Sequence, residues 1–414
     1  MPNRLALFFS RQYSVRRATV LLAVAGLLSN VLGLLRNLVF GRFNHPAVLD
    51  VYFSSFKIPD LIFNVLILGA ISTAFIPVLT EVIEKRKQHP ESNLISPWQV
   101  TNQVLSWITL LLVGLAIILS LFMDPVMRLV AGQLDPDRFQ EAVLLSRLLL
   151  VQSVFFAWSF TLGGLLNSFN RFSSFAVAPL LYNLCLIGGG FFSARYGIRA
   201  IVASVIVGSA GHFLIQFLEA RRVGFRPKLD FSRSAEFKEI MRMMLPRGLT
   251  QGVGQIVSIF YNNLGSGMAA GSIMVFNFMN DLQTTPTVIV ANSMAIAFFP
   301  SLSSQLTKDD KDGANILIDK VVRATIFLLI PCVAIAYILR AQIVRLYIGI
   351  GGADWSLTQT AIITLVWFLV GIIPASLATI MGRIFYALKE VKTPLILGAI
   401  SGLGGILVSL IGVK

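Results

Sequence analysis

The apolar residues of this chain arrive in blocks, and the blocks are about the length that crosses a lipid bilayer. Val20–Leu28, Val104–Met123, Leu144–Leu166, Val177–Phe192, Ile326–Leu339, Ala361–Met381 and Leu395–Val413 lie in stretches that reach or approach the roughly 20 helical residues a hydrocarbon core demands. With 56% hydrophobic and only 13% charged residues, against about 25% charged in soluble domains, the chain is excluded from the ordinary water-soluble classes. It reads as an all-α polytopic membrane protein.

About eleven helical spans are expected, at roughly 18–41, 48–80, 99–123, 139–167, 174–193, 198–219, 246–265, 270–300, 315–339, 357–387 and 393–413. The basic N-terminus runs into the first apolar stretch without an A-x-A-like cleavage site, so that stretch is read as a retained span. Prolines inside spans each remove a helix hydrogen bond and mark kinks. Pro59, Pro77, Pro286 and Pro300 are the candidate kink or gating positions.

The net charge of +14 acts as a topology signal. Segments on the N-terminal side carry Arg4, Arg11, Arg16 and Arg17, then Lys85–Lys87, Arg171, the basic run Arg221–Arg247, Lys308–Arg323, and last Arg383, Lys389 and Lys392. The opposite side holds only Arg42, Arg128, Arg138, Arg195, Arg199, Arg340 and Arg345. The asymmetry predicts a cytoplasmic N-terminus. No basic stripe is interleaved with exposed aromatics, which argues against nucleic acid.

The chain also repeats. Ala74-Phe75-Ile76-Pro77-Val78-Leu79 closes the second span, and Ala297-Phe298-Phe299-Pro300-Ser301-Leu302 closes the eighth, 223 positions on. Six intervening spans is an even number, so the halves run parallel about an axis along the membrane normal. The expected division is an N-terminal lobe at 1–222, a cytoplasmic linker at 223–245 and a C-terminal lobe at 246–414, incomplete at its end. In the linker, Ser234 can cap an amphipathic helix bearing Phe237, Ile240, Met241, Met244 and Leu245, read as lying on the lipid surface.

Energy-consuming and covalent chemistry are not expected. There is no G-x-x-x-x-G-K-[ST], no nucleophile–base arrangement and no metal spacing among His45, His89 and His212. No cofactor, no metal and no enzyme activity are expected. His212 is read as a bundle hydrogen-bonding residue, and Gly188–Gly190 as a close-packing site. Asp309–Gly313 is read as a solvated turn, and Arg147 as a lone charge snorkelling to the interface.

The informative residues are charges inside spans. Arg36 lies late in the first, and Asp50, Lys57 and Asp60 share one face of the second. Arg247 opens the seventh span, and Asp281 lies within the eighth among Asn277, Asn280, Gln283, Thr284 and Thr285. Each costs at least about 2.5 kcal/mol near the bilayer centre, so they face protein or a wet cavity. Two readings stay open: an ion pair of Lys57 with Asp60 that holds spans together, or the lining of a cavity for a polar or anionic substrate.

Several of these motifs together resemble a known family. The run Ser29–Asn37, Asp50 with Phe53, Lys57-Ile58-Pro59-Asp60 and Ala74-Phe75-Ile76-Pro77 resembles the MurJ (MviN) lipid II flippases. So do Leu166–Phe172, Phe175–Pro179, Phe298–Leu302 and Lys392-Thr393-Pro394. The resemblance spans the chain and places it in the multidrug/oligosaccharidyl-lipid/polysaccharide exporter superfamily. It implies two lobes around a cationic cavity, alternating access, and export of a polyprenyl-pyrophosphate-linked peptidoglycan precursor across the bacterial inner membrane. It further implies a monomer working among membrane lipids, helped by membrane potential or a coupling ion. Relative to that pattern the chain reaches Lys414 short of one second-lobe helix and of two helices that form a groove for the lipid tail.

Under the resemblance, Arg36 matches an essential cavity arginine, Asp50 the acidic residue near the outer end of the second span, and Lys57 and Pro59 the pattern around them. Three departures stand out. Asn30 replaces an arginine, Phe63 and Asn64 replace a basic pair, and Asp281 replaces the arginine of the eighth span. Relocation of positive charge to Arg247 and Lys57, with Asp281 pairing one of them, is one expectation. The alternatives are export of another polyprenyl-linked sugar or a cationic drug, or a non-transporting envelope scaffold.

Overall fold

A computed structural model describes residues 15–68, 74–89, 94–308, 310–348, 354–388, 390 and 392–412. Among the described residues the chain is helical, without strands. In order, the elements are α1 (Val15–Phe43), α2 (Pro46–Ile62), π1 (Phe63–Leu68), α3 (Ile76–Gln88), α4 (Pro97–Leu121), α5 (Met123–Ala131), α6 (Pro136–Ser168), α7 (Ser173–Tyr196), α8 (Ile198–Arg222) and α9 (Ala235–Ser266). There follow α10 (Ser272–Pro286), π2 (Thr287–Asn292), α11 (Ser293–Thr307), α12 (Lys311–Ile338), α13 (Arg340–Tyr347), α14 (Trp355–Ala387) and α15 (Lys392–Gly412).

Eight of the described helices are long and apolar enough to cross a membrane: those at α1, α4, α6, α7, α8, α12, α14 and α15. The sequence reading counted eleven spans. The remaining three, at 48–80, 246–265 and 270–300, coincide with α2–π1–α3, with α9 and with α10–π2–α11. These stretches are either interrupted or polar, so length and apolarity alone do not reproduce the number eleven.

The chain forms two compact units. The first comprises 1–36 and 51–267, the second 37–50 and 268–414. In the first unit, α7 and α8 pack closely: a side chain at Gly189 would collide with Ser204 and the Ala200 carbonyl, which is the small-residue packing expected of helices in lipid. His212, buried on α8, places Nδ1 2.6 Å from the Ser159 hydroxyl of α6 and stacks on Phe160. The Glu219 carboxylate of α8 accepts from Ser174 N at 3.1 Å, supplying negative charge where the N–H groups opening α7 lack partners. In the second unit, Ala291, Ala295, Phe298 and Leu302 pack with Ala314, Val321 and Ile380 into one apolar core.

The structure corrects three local readings. Arg147 is not a lone snorkelling charge. Its guanidinium pairs with Asp124 at 2.7 Å and donates to the Ser120 carbonyl at 2.9 Å, partners brought in from the preceding helices that periodicity cannot reveal. The segment opening at Asp310 is a helix start: the Asp310 carboxylate accepts from Gly313 N at 2.9 Å and caps α12. The amphipathic helix of the linker is the beginning of α9, which runs unbroken for 32 residues. Ser234 caps it as expected, accepting from Phe237 N at 3.1 Å. Phe237 and Ile240 are buried in protein, with Phe237 against Trp107, so this face does not lie on lipid.

Candidate functional site

The residues proposed to line a site sit on the interrupted and polar helices. Pro59 has no N–H to offer the Ser55 carbonyl four residues back. The Ser146 hydroxyl of α6 donates to that carbonyl at 3.0 Å and also lies 3.3 Å from Met127 Sδ. A neighbouring helix thus supplies the bond proline removed, as a membrane interior requires. One turn later the helix widens into π1. Pro286 ends α10 directly before π2. Pro77 falls in the first turn of α3, where a missing N–H costs nothing. Pro300 lies in α11 with its side chain outside the described residues.

In the first unit, the bend delivers a cluster of ionisable side chains. Lys57 is buried, 9% exposed, and donates to the Ser258 hydroxyl of α9 at 3.1 Å. Asp60 lies within electrostatic range of both Lys57 and Arg36. The Tyr182 hydroxyl of α7 lies within range of Arg36, Asp60 and Tyr52. Guanidinium and ammonium groups of this kind suit phosphate oxygens. Sequence reasoning did not single out Tyr182 and Ser258. Tyr182 had a signal, since Tyr182-Asn183 is a polar pair inside an apolar block. Asn183 donates to the Ser29 hydroxyl at 3.1 Å.

In the second unit, Asp50 is 3% exposed. Its carboxylate accepts from Gly271 N at 2.5 Å and Met274 N at 2.7 Å, which caps the start of α10. Gly271 takes φ +95° there, a left-handed conformation glycine adopts without cost. Asp281 accepts from the Asn37 amide at 2.7 Å. Asn277 donates to the Ile273 carbonyl of its own helix at 2.7 Å, and Gln283 lies against Gly371 of α14.

The departures from the family pattern have local explanations in part. Phe63 opens π1 and packs against Phe156 and Phe160, with ring centroids 5.3 and 5.4 Å apart. Asn64 donates to the Asp60 carbonyl at 2.8 Å, mending a backbone group where the helix widens. Arg247 lies on α9, with its side chain outside the described residues.

A family model described as lipid II flippase MurJ matches residues 41–414. The chain belongs to the MurJ family. Lipid II flippase MurJ of Burkholderia cenocepacia is 27% identical over 389 residues, covering 90% of this chain and 74% of that protein. In structure the chain is similar to a lipid II flippase MurJ solved in an inward closed conformation, with TM-score 0.81 and 23% identity, covering 95% of this chain and 81% of that one. It is also similar to an inward-facing multidrug resistance MATE family transporter of the MOP superfamily, with TM-score 0.73 and 15% identity, covering 91% and 84%. At these identities the structural likenesses establish the fold. MurJ membership makes the chain a polytopic membrane transporter by family, not an enzyme.

Proposed function

We propose that this MurJ-family chain is a lipid II flippase. It moves the head group of the lipid-linked peptidoglycan precursor from the cytoplasmic to the outer leaflet while the polyprenyl tail stays in lipid. The observation that carries this reading is that Arg36 and the buried Lys57 lie around Asp60 on membrane helices. Guanidinium and ammonium groups suit the oxygens of a pyrophosphate, and Asp60 competes for them, so the head group is bound without being trapped.

Transport makes and breaks no bonds. Two lobes, residues 1–222 and 246–414 joined by 223–245, expose the bound head group alternately to each side, and the ligand shifts that equilibrium only by its differential affinity for the two states. The N-terminus is cytoplasmic, by the placement of Lys and Arg. The chain works as a monomer in the bacterial inner membrane. Membrane potential or a coupling ion resets it, since about 2.3 kcal/mol per charge per 100 mV biases such a step. Arg36, Lys57 and Asp60 contact the head group, Arg247 adds positive charge, and Asp50 and Asp281 set the geometry of α10. Pro59, Pro77, Pro286 and Pro300 are the bending points.

The test is lipid II exposure at the outer leaflet of cells depleted of their own flippase and supplied with this protein or its Arg36→Ala variant. Export by the first and loss with the second is expected. A well-inserted protein that exports nothing rejects the reading in favour of another lipid-linked sugar or an envelope scaffold.

A further inference from the structure

The first unit carries a largely apolar slot with a single charged residue in its lining. Helices α4 and α8 both pack on α6, and between them a groove of about 390 Å³ runs over Trp158 and Leu162 of α6. That volume lies within the range of cavities that hold small ligands. Leu105 and Thr109 of α4 form one wall, Phe213 and Phe217 of α8 the other. The Trp158 indole N–H donates to the Thr109 hydroxyl at 2.7 Å, so two polar groups of the lining are committed to each other and the surface left is mostly hydrocarbon. On the same helices Leu110, Leu214 and Leu218 are exposed, as side chains facing bilayer lipid are.

One end of the groove is built differently. Among the described residues that line it, Lys228 is the single charged one, and buried polar atoms of α4 hold its segment in place. Asn102 accepts from Lys228 N at 3.1 Å and donates to the Arg226 carbonyl at 3.1 Å. Ser106 accepts from Asp230 N at 2.9 Å. The Asp230 carboxylate is bound by the Ser232 N–H and hydroxyl. Arg221 and Arg222, in the last turn of α8, and Arg226, two residues before Lys228, are exposed.

The geometry points to a bound anionic phospholipid, with one acyl chain in the α4–α6–α8 groove and its phosphate at Lys228. Basic pockets between membrane helices are the general form of such sites. A zwitterionic lipid brings the same phosphate but adds a head-group cation that these basic residues disfavour.

Trp158 lines the groove and reports the occupant. The full-length protein is reconstituted in phosphatidylcholine vesicles doped with phosphatidylglycerol brominated mid-chain. A parallel sample carries the same fraction of brominated phosphatidylcholine. The Trp158 contribution is taken as the difference from Trp158→Phe. Bromine on phosphatidylglycerol should quench Trp158 with about fivefold stronger binding than bromine on phosphatidylcholine. Lys228→Gln should erase that preference, while Lys320→Gln, an equal charge loss on α12, should keep it. Equal quenching by both lipids in the unaltered protein overturns head-group recognition. Absence of Trp158 quenching by either lipid overturns the acyl-chain assignment. A preference that survives Lys228→Gln overturns the role of Lys228.

Discussion

The span formed by α2, π1 and α3 and the span formed by α10, π2 and α11 follow one backbone plan with different side-chain chemistry. In each, an α-helix gives way to a π-helical turn and a further α-helix follows in the chain, and each has a proline shortly before the π turn. The first carries Lys57 and Asp60, with the nearby cation Arg36 on α1. The second carries Asp281, bound to the Asn37 amide. The neighbours of the two π turns differ as well. In the first span, a hydroxyl from α6 reaches the carbonyl that Pro59 released. In the second, the Ser376 hydroxyl of α14 meets the hydroxyl of Thr287, the first residue of π2, at 3.2 Å. The shared plan and the divergent contents show that how these helices bend and which charges they carry are set by different residues.

The largest expected effect is at Asp50, whose carboxylate serves the start of the second interrupted span. Asp50→Ala leaves Gly271 N and Met274 N without their acceptor and should cost about 2 kcal/mol. Asp50→Asn, which keeps one acceptor oxygen, should cost roughly half of that. Thermal unfolding of the purified protein followed by tryptophan emission measures both. If Asp50→Ala unfolds as the parent does, the capping account is wrong.

Next is Ser146→Ala, expected to cost about 1 kcal/mol by baring the Ser55 carbonyl. In a Pro59→Ala background the position-59 N–H returns to that carbonyl, and the same change should then cost close to nothing. A double-mutant cycle without coupling would break the account of how the first span is mended. Ser376→Ala in the second span removes a bond between two neutral hydroxyls and should cost less, about 0.5 kcal/mol. A larger loss there would show that the second break depends on its neighbour as heavily as the first.

The smallest effect lies in the last two turns of α3. Its hydrogen bond to Glu81, and then the charge of that carboxylate 2.6 Å away, hold the Lys85 pKa above its ordinary 10.5. A raised folded-state value means the contribution is present below pH 10.5 and fades as pH rises through the folded-state value. The pair is exposed, so Glu81→Gln should leave the unfolding midpoint unmoved while returning the Lys85 titration towards 10.5. Side-chain NMR of labelled lysine would read the shift.

Much of this could be read from residue order, because a bilayer imposes its own arithmetic on a chain. Apolar blocks named the membrane helices, and the Phe75-Ile76-Pro77 and Phe298-Phe299-Pro300 echo pointed to the two spans that prove to be interrupted. Charges buried in lipid marked Arg36, Lys57 and Asp60, because their cost needs a reason. What stayed hidden were partners fixed by packing. Nothing in spacing ties Asp50 to Gly271, Arg147 to Asp124 or Ser146 to Ser55. The π turns were also illegible, since a proline announces a lost hydrogen bond but not how the helix absorbs it. The run of α9 through 234–266 was read as two pieces because its composition changes midway while its backbone does not.

The bond from Ser146 to the Ser55 carbonyl also makes the order of two substitutions matter. A serine at position 146 is harmless while residue 59 still has an N–H, since a buried hydroxyl can bond within its own helix. A proline at 59 without that serine bares a carbonyl, at the cost of about 1 kcal/mol expected for Ser146→Ala. Of the two single steps between a Ser146–Pro59 pair and a chain with neither, the one through serine alone is the cheaper.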